Sequence, residues 1–496
     1  MQTCDIKQFI LPSIQTKEEY MTIFSQSDIE QIHAHGLNID TIHQQMNDFI
    51  SGFPYADIIS AATMGNGIKS ISDYDATNEY TKNQNNYKIV KFVPASGAAT
   101  RMFKDLFEFL STNTINKTTQ IVLDNLSDFA FYDDLKHFLP QKPTAHDIIE
   151  CIITNRGLNY GNLPKGLLQF HKYNEFNRTA VAEHLTEGAQ YATSNGMANI
   201  HFTVSPEHIS GFKALLEKIV PEYEREFGIQ YNITMSTQKS ETDTIAVNPD
   251  NSPFRNEDGT LLFRPSGHGA LIENLNEIDA DIIFIKNIDN VCHETQRTDT
   301  INYKKSLAGI AIQIQNKIFE YLNALDSGNA NETEIIDFIN QNLGIKISDA
   351  SEIRATLNRP LRVCGMTRNT GAPGGGPFWI KTANDNASLQ IIEPNQISPE
   401  QAHILKDGQY FNPVDIVCMP RDYKGNKFDL TKYIDPKTGF ISEKSKNGRT
   451  LRAMERPGLW NGAMANWNTV FIEVPITTFT PAKVITDLLS GGHNNK

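Results

Sequence analysis

Eight short apolar runs, separated by amphipathic stretches, constrain this chain more than any other feature of its sequence. The runs are IVKFV (89–93), NIHFTVS (199–205), YNITMS (231–236), DIIFIKN (281–287), LRVCGM (361–366), SLQIIE (388–393), DIVCM (415–419) and TVFIEVP (469–475). Each has strand length and is rich in β-branched or aromatic residues. Between them, apolar residues recur three and four apart, most clearly over 101–110, 174–194, 207–227 and 303–325. Strands alternating with helices of this length predict an α/β protein built on a mixed, mainly parallel sheet with crossover helices.

The pattern does not extend to the N-terminus. From Glu18 to about Phe53 the spacing of Ile29, Ile32, Ile42, Met46, Phe49 and Ile50 predicts a helical hairpin, and residues 72–87 read as a polar, Asn-rich connection. The predicted organisation is an N-terminal helical extension (1–85), an α/β domain (86–490) and a tail (491–496). A loop-rich insertion is expected at about 420–460, where Lys, Asp and Gly accumulate. His33, His35 and His43 read as solvated helix-face residues. Trp460, Trp467 and the Cys292-His293 pair read as structural.

Composition excludes several classes. With 45 Lys plus Arg against 58 Asp plus Glu, the net charge is −13, which argues against broad binding to nucleic acid or an anionic membrane. No run approaches the roughly 18 apolar residues of a spanning helix, and the start lacks a basic-then-apolar leader pattern. A cytoplasmic address is therefore expected. Five cysteines without a CxxC pair fit reduced thiols better than disulfides or structural zinc.

Three local features carry candidate chemistry. In KFVPASGAATRMFKDLFEFL an apolar strand runs through small residues into a helix, a setting in which backbone N–H groups and Arg101 and Lys104 can meet an oxyanion. It is neither a Walker A nor a dinucleotide fingerprint, and read alone it fits a phosphate cradle and a tight turn equally. Leu163-Pro164-Lys165-Gly166 holds one ammonium between Pro and Gly, although an isolated Pro-Lys-Gly is more often a surface turn. FRPSGHGALIENLN is followed by DIIFIKNIDNV, in which Asp289 sits at the end of an apolar run, where α/β sheets bind ligands and a carboxylate can meet Mg²⁺. The alternative is that Asp289-Asn290 only turns the chain.

Taken in order, ASGAATRM, LPKG, Gln238, PSGHGALIENL, FIKNIDN, PGGGPF, LQIIEPNQI, YFNPVDIV and VPITTFTPAKVITDLL resemble the landmarks of the UDP-sugar pyrophosphorylases. The resemblance runs from about Lys88 to Leu489, and nine short motifs in the same order make it specific. The chain resembles still more closely a bacterial domain-of-unknown-function family of pyrophosphorylase-like proteins. This likeness implies a Rossmann-like GT-A nucleotidyltransferase fold. It also implies a Mg²⁺-dependent transfer in which a sugar 1-phosphate attacks the α-phosphate of a nucleoside triphosphate, UTP favoured, with pyrophosphate released.

The resemblance also implies roles for single residues. Ser96, Gly97, Ala98, Thr100 and Arg101 would line the triphosphate, Lys165 would face the α-phosphate, and Gln238 would read the base. Gly267 and His268 would stand near the nucleoside and the sugar phosphate. Asp289 would hold Mg²⁺, Lys483 would reach the phosphates from the far side, and Gly375, Glu393 and Asn412 would contact the sugar phosphate. The sequence also departs from the family pattern: Ser96 and Ala99 replace glycines, Ala270 replaces an aspartate, and Ile476 and Thr478 replace two arginines. Those losses keep open a second reading, a non-catalytic nucleotide or nucleotide-sugar binding protein of the same fold. Neither the sugar nor the oligomeric state is legible in the sequence.

Overall fold

The computed structural model describes residues 23–73, 76–97, 99–371, 374–382 and 386–494. The chain divides into two units, a larger one of Ala56–Gln238, Leu271–Ile434 and Met464–Lys496, and a smaller one of Met1–Tyr55, Lys239–Ala270 and Asp435–Ala463.

The larger unit is built on an eleven-stranded sheet. Its strands in chain order are β1 (Thr63–Met64), β2 (Gly67–Lys69), β3 (Ile89–Pro94), β4 (Thr193–Ser194), β5 (Met197–Thr203), β6 (Gln230–Ser236), β7 (Ile282–Ile285), β8 (Leu361–Arg368), β9 (Tyr410–Phe411), β10 (Ile416–Met419) and β11 (Asn468–Glu473). The spatial order is β1-β2-β11-β8-β10-β7-β3-β5-β4, with β9 beside β8 and β6 beside β5. Neighbours β3 and β7, β3 and β5, β5 and β6, β8 and β11, and β2 and β11 are parallel. Because β10 runs antiparallel to both β7 and β8, the two parallel sets point the same way. Their carboxyl ends therefore share one edge of the sheet, and this positions the site.

Burial on both faces explains why these strands are nearly continuous apolar runs. One face meets the helix Arg297–Asp326, whose Leu307, Ile310, Ala311, Ile314, Ile318 and Leu322 pack with Ile89, Ile282, Phe284, Val363 and Val417. The helices Lys104–Thr112, Ala145–Ile153, Ala180–Tyr191 and Ile209–Phe227 contribute Leu106 and Phe109, Ile152, Leu185 and Phe212 in turn to a second cluster, which holds Val93, Ile200 and Phe202 further along that same face. A separate three-stranded antiparallel sheet pairs Ile58–Ala61, Gly376–Lys381 and Ala387–Ile392.

The smaller unit has its own core. Helices Gln26–Ala34 and Ile39–Ser51 are capped by Ser25 and Asn38, whose side chains accept from Asp28 N and Thr41 N. Their Ile32, Ile42, Met46 and Phe49 pack with Ile245, Val247, Leu261 and Met454. A hairpin, Phe440–Lys446 with Arg449–Glu455, turns at Asn447-Gly448, both with positive φ.

All eight predicted strands are present, with bounds shifted by a few residues. Four expectations are corrected. The boundary expected near residue 85 lies at Tyr55, because residues 58–69 form strands, two of them in the central sheet. The expected loops at 420–460 include the hairpin, whose alternating charges hide its strand period. Within the tail His493 is packed, since it is buried and its Nδ1 is 2.8 Å from Nε2 of His171. His43 is buried instead of solvated, and the part-exposed His35 stacks on Phe263 and meets Asp243, whereas His33 is exposed. The part of the predicted hairpin before Ile23 lies outside the described residues. No helix among the described residues is long and apolar enough to cross a membrane.

Candidate functional site

The carboxyl edge of the parallel strands gathers the predicted residues of the larger unit. Beyond β3, the Ala95 amide donates to Thr203 O (2.9 Å), and Ser205 Oγ donates to Ser96 O (3.1 Å). The Ala99 amide donates to Leu163 O (3.2 Å), which joins the small-residue loop to the LPKG turn. Gly97 borders open space, because a Cβ there would meet nothing within 4 Å. Thr100 and Arg101 are exposed. Ala98 lies outside the described residues. Residues 99–101 form a 3₁₀ turn and the α-helix begins only at Lys104, so Arg101 precedes the helix instead of sitting on its first turn.

Lys165 is fixed by its neighbours. Gly166 is required beside it, since a Cβ would stand 2.6 Å from the Phe212 ring. The Lys165 Nζ donates to Asp289 Oδ2 (2.8 Å) and to the Ala482 carbonyl (2.7 Å), and the Ala482 amide donates to Asp289 O (3.0 Å). Thr480 N donates to Asn290 Oδ1 (2.9 Å), so two segments nearly 200 residues apart in the chain run together here. The Lys165 and Asp289 side chains keep 14% and 21% of their exposure, so solvent and small ligands can reach them. Lys483 follows directly and is exposed, with its Nζ 5.8 Å from the Phe479 ring centre.

The residues expected to meet the sugar phosphate form a second group. The Asn412 amide donates to Gly375 O (2.9 Å), and a Cβ on Gly375 would lie 3.5 Å from Glu393 Cγ. Glu393 caps the 3₁₀ turn that follows it. Asn412 Oδ1 accepts from Val414 N (3.0 Å), and among the described residues its buried Nδ2 has no hydrogen-bond partner. Val414 is a β-branched residue at φ 60°, an uncommon and costly conformation. Phe411 packs edge-on against Phe479, with centroids 5.0 Å apart, and so links this group to the Lys483 segment.

Gln238 lies two residues past β6, half-buried. Gly267 and His268 belong to the smaller unit, where both are packed against neighbours. Gly267 has φ +74°, and a Cβ would stand 2.5 Å from Glu455 Oε2. The His268 ring stacks on Trp460 (centroids 4.4 Å), and burial pushes its pKa down to about 4, so it is neutral at pH 7.

Magnesium prefers one or two carboxylates plus phosphates and waters. Asp289 at a strand end fits that donor set, with one oxygen already held by Lys165. Among the described residues no group of three or more His, Cys, Asp or Glu stands ready to cage a metal. Three buried lysines beneath this edge, Lys91, Lys286 and Lys304, went unread in the sequence. The signal was present, since Lys91 and Lys286 interrupt the apolar runs IVKFV and DIIFIKN.

Residues 25–494 match the model of the family described as Domain of unknown function (DUF4301). No curated protein matches the chain. Among solved structures it is similar to UDP-glucose pyrophosphorylase from Leishmania major, at 13% identity over 94% of this chain and 78% of that one, with a TM-score of 0.46. It is also similar to UDP-glucose phosphorylase from Trypanosoma brucei, at 15% identity over 93% and 77%, with a TM-score of 0.46. A third is the uridine diphosphate N-acetylglucosamine pyrophosphorylase of Trypanosoma brucei, at 10% identity over 97% and 84%, with a TM-score of 0.45.

Proposed function

The chain belongs to the DUF4301 family, and from its site we propose that it is a Mg²⁺-dependent nucleotidyltransferase joining a nucleoside triphosphate, UTP favoured, to a sugar 1-phosphate. The observation that carries this reading is the meeting of Lys165, Asp289 and the Ala482 backbone at the carboxyl edge of the parallel strands, beside the 95–97 loop. In α/β sheets that edge is where ligands bind.

In the proposed reaction an oxygen of the sugar 1-phosphate attacks the α-phosphorus. The bond from that phosphorus to the bridging oxygen breaks, and pyrophosphate leaves with the electron pair. Such transfers need positioning and charge neutralisation, not a protein nucleophile. Lys165 would turn its ammonium to the α-phosphate, Arg101 and Lys483 would hold the outer phosphates, and Gln238 would read the base. Asp289 would hold magnesium, which supplies further neutralisation of phosphate charge. Gly375, Glu393 and Asn412 would orient the sugar phosphate.

A second reading, a binding protein without turnover, is favoured by the loop, where the amides of Ala95 and Ala99 are already bonded within the protein. Pyrophosphate release decides between the two, measured with Mg²⁺ across nucleoside triphosphates and hexose or N-acetylhexosamine 1-phosphates. The transferase reading requires release that needs both substrates and is lost in Asp289→Asn. Nucleotide binding by calorimetry without release supports the second.

A further inference from the structure

Burying lysines beneath a sheet edge is costly, and apolar residues of similar size often serve stability equally well. Lys91 Nζ bonds Glu187 Oε2 (2.8 Å) and the His184 carbonyl (3.1 Å). Lys286 Nζ bonds Glu187 Oε1 (2.7 Å). Lys304 Nζ pairs with Asp415 and donates to Ile285 O (3.2 Å). All five side chains are at most 1% exposed.

The other groups facing Lys91 add no charge. His184 is held neutral by burial and by the neighbouring lysines, and the Tyr191 hydroxyl, which donates to Glu187, is held protonated by burial and by the Glu187 carboxylate. With Lys91 protonated, three ammoniums face two carboxylates, an excess of one positive charge inside a chain of net charge −13; with Lys91 neutral the group balances. Position matters as well. Lys91 precedes Ala95 by four residues, Lys286 precedes Asp289 by three, and Asp415 follows Asn412 by three. At about 3.3 Å per strand residue, Lys91 lies roughly 13 Å below the loop.

We propose that Lys91, Lys286 and Lys304, answered among the described residues by Glu187 and Asp415, form a chargeable seat beneath the phosphate edge, and that a polyphosphate bound above it draws a proton onto Lys91. The inference rests on the nucleotide-binding part of the proposed function, not on turnover. Burial, opposed by Glu187, pushes the Lys91 ammonium down to about 7, which leaves Lys91 able to change charge near neutral pH. Nearby negative charge favours the protonated form.

Calorimetric titration of UTP with Mg²⁺ into the full chain, in two buffers of different ionisation enthalpy, tests this. At about pH 8 the nucleotide is already fully ionised, and uptake of about 0.4 proton per UTP is expected for a rise of about one unit in the Lys91 pKa, falling below about pH 7 where Lys91 already holds its proton. Lys91→Met removes the uptake and weakens binding about tenfold at about pH 6, the effect of one unit of linked pKa. Lys91→Met with Glu187→Gln restores the excess charge, so affinity returns while uptake stays absent. Circular dichroism and melting confirm folding of each variant.

Absence of uptake in the wild type overturns the inference without any variant. Unchanged uptake in folded Lys91→Met, or no recovery of affinity in the folded double variant, overturns it as well. UTP binding with uptake but no pyrophosphate release refutes turnover and leaves the seat standing. Release without Lys91-linked uptake does the reverse, and no UTP binding refutes both.

Discussion

Two lysine–carboxylate contacts in the larger unit have the same chemistry and opposite settings. Lys165 and Asp289 meet at 2.8 Å with 14% and 21% of their side-chain area exposed, whereas Lys91, Glu187 and Lys286 meet at 2.7–2.8 Å with almost none. A pair that keeps some contact with water can exchange its partner for a ligand at less cost, because water shares part of its solvation. The buried group cannot, since removing one member strands a charge in a medium of low dielectric. The contrast teaches that the first pair is suited to act on substrates and the second to hold a fixed field.

Removing the carboxylate of the buried group is the severest way to break that contrast. Glu187→Ala leaves two lysines unanswered and is expected to lower unfolding free energy by about 3–5 kcal/mol in urea titration. A loss under about 1 kcal/mol would place the two contacts in the same class. At the wet pair the expected effect falls on rate: Asp289→Asn slows pyrophosphate release roughly a hundredfold, or about 2.7 kcal/mol of barrier.

His268 sharpens the comparison from the smaller unit, because it is a shielded base without a charge partner. Its folded pKa, about 4, lies below the ordinary 6.5, so the unfolded chain binds more protons between those values. Its contribution to stability is complete above about pH 6.5 and is lost as pH falls toward 4, on the order of 2 kcal/mol after allowing for its partial exposure. His268→Phe, which keeps a ring against Trp460, flattens that part of the stability–pH curve. The smallest effect is expected for Lys165→Met, which lowers stability by no more than about 1 kcal/mol while abolishing the contact. A larger loss would show that the wet pair is structural.

Much of the larger unit was legible because strands buried on both faces read as apolar runs, and the order of short motifs marked Lys165 and Asp289. Their contact with Ala482 was not legible, since no local pattern joins positions so far apart. The hairpin at 440–455 was missed for a different reason. Its Asn447-Gly448 turn is a strong signal, but Lys, Glu and Arg alternate along strands that show water one face, and they read as loop. Gly267 and His268 were read by likeness as ligand contacts, and their packing against Glu455 and Trp460 was not legible. The boundary at Tyr55 depends on which segments pack together, which spacing along the chain does not record.

The smaller unit is drawn from three stretches of chain, and this has a consequence for synthesis. Its first helices emerge early, yet Met454, part of the cluster that covers Ile42, Met46 and Phe49, belongs to the last stretch. From Ala270 to Asp435 the ribosome must add 435 − 270 = 165 residues, which takes roughly 10–30 s at about 5–20 residues per second. Through that interval the nascent helices hold an apolar stripe without its full cover. A chaperone that shelters such stripes would then set the yield of folded protein, and a chain halted before Asp435 would be a substrate for proteases.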